Sequence, residues 1–162
     1  MPRTHLLDRL EPATRAAVLD AGTQVDVPAG GFLIRDGEDG RSVFLVLDGL
    51  LKVVKNSYDG RVSFLGLRRG GTLVGELAVL TGEPRNSSLQ AVWPSTVVKL
   101  PDDRFERLLA EHASLSRALL MEIAERLGEA TRQIHDLMNA DARTRIAARL
   151  VQLVDETLDP SA

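Results

Sequence analysis

The chain of 162 residues carries 20 Lys and Arg against 23 Asp and Glu, a net charge of −3, and is 44% hydrophobic. A chain of this length holds one mid-sized domain with its own core plus an appendage, and its interspersed charges lack the basic footprint of a self-sufficient nucleic-acid binder. The absence of cysteine excludes disulfides, thiolate zinc sites, iron–sulfur clusters and cysteine nucleophiles.

No apolar run approaches a membrane span. The opening MPRTHLLDRLEPATRAAVLD has early acids and no cleavage site of the signal-peptide kind, so a cytoplasmic protein with no membrane partner is expected. Leu6, Leu7, Leu10, Ala13, Ala17 and Val18 fall at helical intervals, and Pro12 stands where a helical turn can begin, which predicts one or two short amphipathic helices. From Thr23 to Leu100 the period changes. Runs such as SVFLVL, LLKVV, RVSFLGL and TVVKL are separated by turn signals at Gly30-Gly31, Asp39-Gly40, Asp48-Gly49, Asp59-Gly60, Gly70-Gly71 and Gly82, the mark of a sandwich or closed barrel.

After Pro101 the pattern is helical again. Phe105, Leu108 and Leu109 predict a short helix packed back on the β region. Leu120, Ile123, Leu127, Ala130, Ile134 and Leu137 then recur at alternating spacings of three and four, a heptad seam that suits pairing with a second copy through residues 115–138. The alternative is that this stripe lies on the barrel of its own chain. Asp141 reads as a helix cap, and Ile146, Ala147, Leu150, Val151 and Val154 line one face of a final helix. Leu158 to Ala162 reads as the start of a linker.

Gly75 to Ala91, GELAVLTGEPRNSSLQA, carries the chemistry. Glu76 to Leu80 can form little more than one helical turn, and its free backbone N–H groups with the permissive Gly75 make an anion-binding terminus. Arg85 adds a planar donor fork suited to a phosphate. Glu76 would repel a phosphate but suits a sugar hydroxyl beside it. The pair describes a phosphorylated sugar; the competing reading is a surface ion pair bracketing a turn.

The run V-G-E-L-A-V-L-T-G-E-P-R-N-S resembles the phosphate-binding cassette of cyclic-nucleotide-binding domains, close to F-G-E-L-A-L-x-x-G-x-P-R-A-A, and the glycines of PAGGFLIRDGEDG, VLDGLLKV and YDGRVSFLGLRRGGTLVGEL fall where that family's β-roll turns. The resemblance implies a mainly β fold with flanking α elements, a double-stranded β-helix or jelly-roll β-roll followed by a long dimerisation helix and one further helix. It implies that Glu76 accepts the ribose 2′-hydroxyl, that Arg85 neutralises the cyclic phosphate, and that backbone amides of Gly75, Glu76, Leu77, Ala78, Asn86 and Ser87 complete the cradle. Val74 replaces the family's usual phenylalanine, a packing change. Asn86 and Ser87 replace small residues, which bears on nucleotide preference.

The tail AERLGEATRQIHDLMNADARTRIAARLVQLVDE is similar to the dimer helix and following helix of the cyclic-AMP receptor protein and FNR family of bacterial regulators. That similarity puts Thr131 where the family's activator reaches the partner's adenine, the alternative being an exposed helical threonine. It makes Asn139-Ala140-Asp141 a hinge. The expected layout is an N-terminal helix and β-roll over 1–110, a dimerisation helix over 111–139, and over 140–162 the truncated start of a C-terminal DNA-binding region that alone would contact DNA. The expected ligand is cyclic AMP, with cyclic GMP or another cyclic nucleotide as alternatives, and no metal.

Rival classes have less support. His5, His112 and His135 are too dispersed for a cupin-type metal enzyme or a haem site, and no catalytic residue is assigned. A dimerisation module without ligand, or a cyclic-nucleotide module of a kinase or channel, remains as an alternative.

Overall fold

The computed structural model describes residues 5–57 and 60–139, together with positions 144, 146, 147, 149–151, 153 and 154. A short 3-10 turn, Leu6–Arg9, precedes α1, Pro12–Asp20. Strands β1 (Thr23–Val27), β2 (Phe32–Ile34), β3 (Ser42–Asp48), β4 (Leu50–Asn56), β5 (Val62–Arg69) and β6 (Leu73–Val74) lead into α2 (Glu76–Thr81); β7 (Ser88–Ala91), β8 (Ser95–Pro101), α3 (Asp102–Glu111) and α4 (Ala113–Asn139) follow. The strands form two antiparallel four-stranded sheets, ordered β1-β8-β3-β6 and β2-β7-β4-β5. The two-layered β architecture expected from the turn spacing, and the β-roll that the resemblance implies, is the fold observed. Gly30-Gly31, Gly40, Gly49, Gly70-Gly71 and Gly82 all stand outside strands; Asp59 lies outside the described residues.

Strand β3 shows why SVFLVL is an unbroken apolar run. It lies between two layers, and alternate side chains serve different cores. Val43 and Leu45 join Leu6, Leu7, Leu10, Val18, Leu73, Val98, Leu100 and Phe105 under the helices. Phe44 and Val46 join Ile34, Leu51, Val53, Val74, Leu89 and Val97 between the sheets.

The N-terminal helix turns differently from its sequence pattern. Thr14 is buried and Ala13 exposed, because the Thr14 hydroxyl is hydrogen-bonded to the Ser114 hydroxyl at 2.9 Å and lies 3.3 Å from His112 Nδ1. Polar pairing at this helix junction overrides the apolar stripe. His112 is extended (φ −122°, ψ 93°), so the long helix begins at Ala113 and not at residue 111.

Leu115, Ala118 and Leu119 anchor the first turns of α4 in the core beneath the β-roll. Beyond them the seam parts from its own chain: Leu120, Leu127, Ile134 and Leu137 are 68, 67, 59 and 62% exposed. Only Ile123 of the seam packs on that core. Asp141 and most of the Asn139-Ala140-Asp141 hinge lie outside the described residues. The described positions from Thr144 to Val154 are helical, and the Arg149 guanidinium rests 4.8 Å from the centre of the Phe64 ring on β5. No described helix is long and apolar enough to cross a membrane.

Phe105 is 1% exposed and ties α3 to the core that α4 also uses. Replacing it with alanine leaves a cavity and is expected to lower stability by about 3–5 kcal/mol, read from urea unfolding; a loss below about 1 kcal/mol would show that the helices do not depend on this contact.

Candidate functional site

Helix α2 is a short insertion between β6 and β7, and its position depends on Gly75. Gly75 has φ +82°, and a Cβ there would meet Arg85 Nη1 at 2.6 Å, so only glycine fits both the turn and the guanidinium beside it. The backbone from Gly75 to Ala78, with Arg85, Asn86 and Ser87, lines a cavity of about 700 Å³. Strands β4 and β5 supply another wall with Val53, Lys55, Leu65, Leu67 and Arg68, and α4 closes the cavity with Ile123, Arg126, Leu127, Glu129, Ala130 and Gln133.

Glu76 and Arg85 are 2% and 6% exposed. They do not form the surface ion pair that the sequence leaves open, since each is held by other groups. Arg85 Nη1 donates to the Gly75 carbonyl at 2.6 Å, and Nη2 donates to the Ser42 carbonyl at 2.5 Å. The Arg85 amide and carbonyl are fixed by Glu38 and Gly37, both at 2.8 Å. Carbonyls hold the fork in place without neutralising it, so its charge and its remaining N–H groups stay available to an anion. Burial lowers the Arg85 pKa, against the pull of Glu38 and Glu76.

Glu76 is paired with a residue that the motif analysis leaves out. Arg126 Nη1 donates to Glu76 Oε1 at 2.6 Å. Its Nη2 donates to the Leu73 carbonyl at 2.5 Å and also to Glu122. One guanidinium on α4 therefore holds a carboxylate on α2, a carboxylate on its own helix and the start of β6. Burial by itself would lower the Arg126 pKa, but Glu76 and Glu122 outweigh it and hold the group above its ordinary value. Burial raises the Glu122 pKa despite Arg126, and Glu122 Oε2 is buried with no hydrogen bond. Among the described residues no hydrogen bond engages Glu76 Oε2, and Glu76 lines the cavity, where a carboxylate oxygen can accept from a hydroxyl.

The other sequence-derived residues are placed unevenly. Leu77 is exposed and lines the cavity; Asn86 accepts on its backbone carbonyl from Lys55 Nζ at 2.5 Å and on Oδ1 from the Ser87 hydroxyl at 3.2 Å. Thr131 is exposed and outside the cavity wall, its hydroxyl donating to the Leu127 carbonyl at 2.9 Å; its neighbour Ala130 lines the cavity instead. The Glu122-Arg126 pair was visible in the sequence as an opposite-charge couple four residues apart on the face carrying Ile123 and Ala130, a placement that suits a buried partner for an acid elsewhere. Among the described residues no group of three His, Asp or Glu could hold a metal ion.

A family model for the cyclic nucleotide-binding domain matches residues 24–112. A curated relative, the CRP-like cAMP-activated global transcriptional regulator of Mycobacterium tuberculosis, is 28% identical over 153 residues, covering 94% of this chain and 68% of that protein. Among solved structures, the catabolite activator protein of Thermus thermophilus is 26% identical with a TM-score of 0.73, covering 96% of this chain and 73% of that one. The c-di-GMP responsive global regulator CLP of Xanthomonas campestris superposes with a TM-score of 0.82 at 22% identity, covering 94% of this chain and 75% of that one; at this identity the likeness is one of fold.

Removing Arg126 leaves two buried carboxylates without their cation. Arg126→Met is expected to cost about 3–5 kcal/mol of stability, and a midpoint unchanged in chemical unfolding would mean that the pairing is absent in solution. Because the Glu122 pKa is raised on folding, its share of stability is full below the ordinary carboxylate pKa of about 4.3 and is lost as pH rises through the folded value. Unfolding of Glu122→Gln across that range should lack this decline; identical pH profiles for the two proteins would contradict it.

Proposed function

Since the chain belongs to the cyclic nucleotide-binding domain family, we propose that it is the sensory part of a dimeric, cytoplasmic transcription regulator and that its ligand is cyclic AMP. It is a regulatory binding domain and not an enzyme. In this reading Arg85 neutralises the cyclic phosphate with its unspent N–H groups, and backbone amides of Gly75 to Ala78 and of Asn86 and Ser87 add donors. Glu76 takes the ribose 2′-hydroxyl on Oε2. The base rests between Leu65 and Leu67 on one side and Ile123, Leu127 and Ala130 on the other, apolar surfaces suited to a flat ring.

The observation that carries the reading is the convergence of a carbonyl-held guanidinium and a cation-held carboxylate on one cavity. A phosphate and a hydroxyl on one small ligand satisfy both. The choice of cyclic AMP draws support from the Mycobacterium tuberculosis relative, which its name describes as cAMP-activated.

Pairing through residues 115–138 is supported by the exposed seam on α4, since a stripe of large apolar side chains in water is costly unless covered. Thr131 would then face the second subunit's ligand across the pair. DNA would be contacted only by a C-terminal domain beyond this chain, as in regulators of this type, with residues 140–162 its approach and the Asn139-Ala140-Asp141 segment the point of bending.

Calorimetric titration with cyclic AMP and cyclic GMP tests the ligand, and absence of heat from both at millimolar concentration would overturn the sensor reading. Arg85→Ala should weaken binding by about 1.5–3 kcal/mol, the range for a hydrogen bond to a charged group; affinity equal to wild type would remove Arg85 from the phosphate. In sedimentation the wild type should run as a dimer and Ile134→Glu with Leu137→Glu as a monomer, whereas a monomeric wild type would refute pairing.

A further inference from the structure

The Arg68 guanidinium, on the β5 wall of the cavity, is a cation that neither the phosphate nor the sugar of the proposed ligand engages. It lies over the backbone of Gly66, where an added Cβ would meet Arg68 Nη1 at 3.3 Å. Among the described residues it has one acceptor, the Leu67 carbonyl, 2.7 Å from Nη1. Among those residues no other group accepts from its donor fork. Burial and the neighbouring Arg126 bring its pKa down to about 10, so the group is charged at neutral pH. The charges acting on it, Arg126, Glu76, Glu122 and Glu129, belong to α2 and α4, which puts it at the α4 end of the cavity.

Leu65 and Leu67 precede it on its own strand and line the cavity, as do Leu127 and Ala130 of α4. Apolar walls with one donor fork suit the face and edge of a heterocycle. A guanidinium donates and cannot accept. The base edge that matches it therefore presents acceptors side by side, as the carbonyl oxygen and adjacent ring nitrogen of a 6-oxo purine do. Adenine offers one ring nitrogen beside an amino group, and that amino group is itself a donor.

We propose that Arg68 is a specificity-determining residue that reads the acceptor edge of a 6-oxo purine, so that the cavity accepts cyclic GMP as well as cyclic AMP. The inference rests on the reading of this cavity as a cyclic nucleotide site. Lys55, the other cation without a role in that reading, is already committed to the Asn86 carbonyl and to Asp36.

The test is titration of wild type, Arg68→Leu and Arg68→Lys with cyclic AMP, cyclic GMP and cyclic inosine monophosphate, the last carrying the 6-oxo group without the 2-amino group of guanine. Wild type should bind all three. Arg68→Leu should weaken cyclic GMP and cyclic inosine monophosphate by about tenfold or more, as for loss of a bidentate base contact, and move cyclic AMP by less than about threefold. Arg68→Lys, which keeps the charge and loses the fork, should shift the same ratio by less, and that ratio decides alone if the leucine variant does not fold. A parallel loss for all three ligands, or no change for any, would overturn the role of Arg68. Wild type that binds cyclic AMP alone would overturn it while leaving the cavity reading intact; wild type that binds none would remove the cavity reading itself.

Discussion

The arrangement around the cavity depends on one half-buried cation, Arg126, serving three acceptors. Arg126 reaches from α4 to Glu76 on α2, to Glu122 one helical turn back and to the carbonyl of Leu73 at the start of β6. Without it, the buried carboxylates of Glu76 and Glu122 lose the cation they share, and a buried charge left without its partner is costly. With it, one oxygen of Glu76 is held by the guanidinium and the residue lines the cavity. The same contact sets the distance between the cassette and the long helix, so the wall that α4 contributes is fixed by the group that orients the acid.

Arg85 is handled in the opposite way. Its partners are two backbone carbonyls, from Gly75 and Ser42, which fix its direction and leave its positive charge uncompensated by direct pairing. Glu38 and Glu76 act on it through space. An anion entering the cavity thus meets a guanidinium already held in place, and little freedom is lost on binding. In the proposed reading this division of labour, an acid steadied by a cation and a cation steadied by dipoles, is what lets a phosphate and a hydroxyl be read together. A ligand bound there touches α4, and α4 carries the exposed seam and leads to the described positions from Thr144 to Val154, where Arg149 lies over Phe64 of β5. Strand β5 thus lines the cavity and also carries Phe64, which meets this helical segment.

Much of this was legible in the residues. Turn glycines and short β-rich runs announced the roll, and the Gly-Glu-Leu and Pro-Arg pairs announced the cassette, because tight backbone geometry demands particular residue types. The exposed side chains of Leu120, Ile134 and Leu137 follow from a heptad period. What stayed hidden was long-range. Arg126 is one arginine among several in a charged helix, and only the packing of α4 on α2, fifty residues earlier, gives it two carboxylates. Arg68 sits beside Arg69 in the same dipeptide, and strand alternation decides which of them faces the cavity. Thr14 was masked by helical propensity, since its inward turn is set by Ser114 and His112, a hundred residues away.

The central claim is that the Glu76 carboxylate, aimed by Arg126, accepts the sugar hydroxyl next to a phosphate held by Arg85. Comparing the affinities of cyclic AMP and its 2′-deoxy analogue for the protein tests it most directly. The account predicts that the deoxy compound binds at least about tenfold more weakly, the loss expected when a buried charged acceptor is left unmatched. Equal affinities would contradict it, because Glu76 would then have no part in holding the ligand.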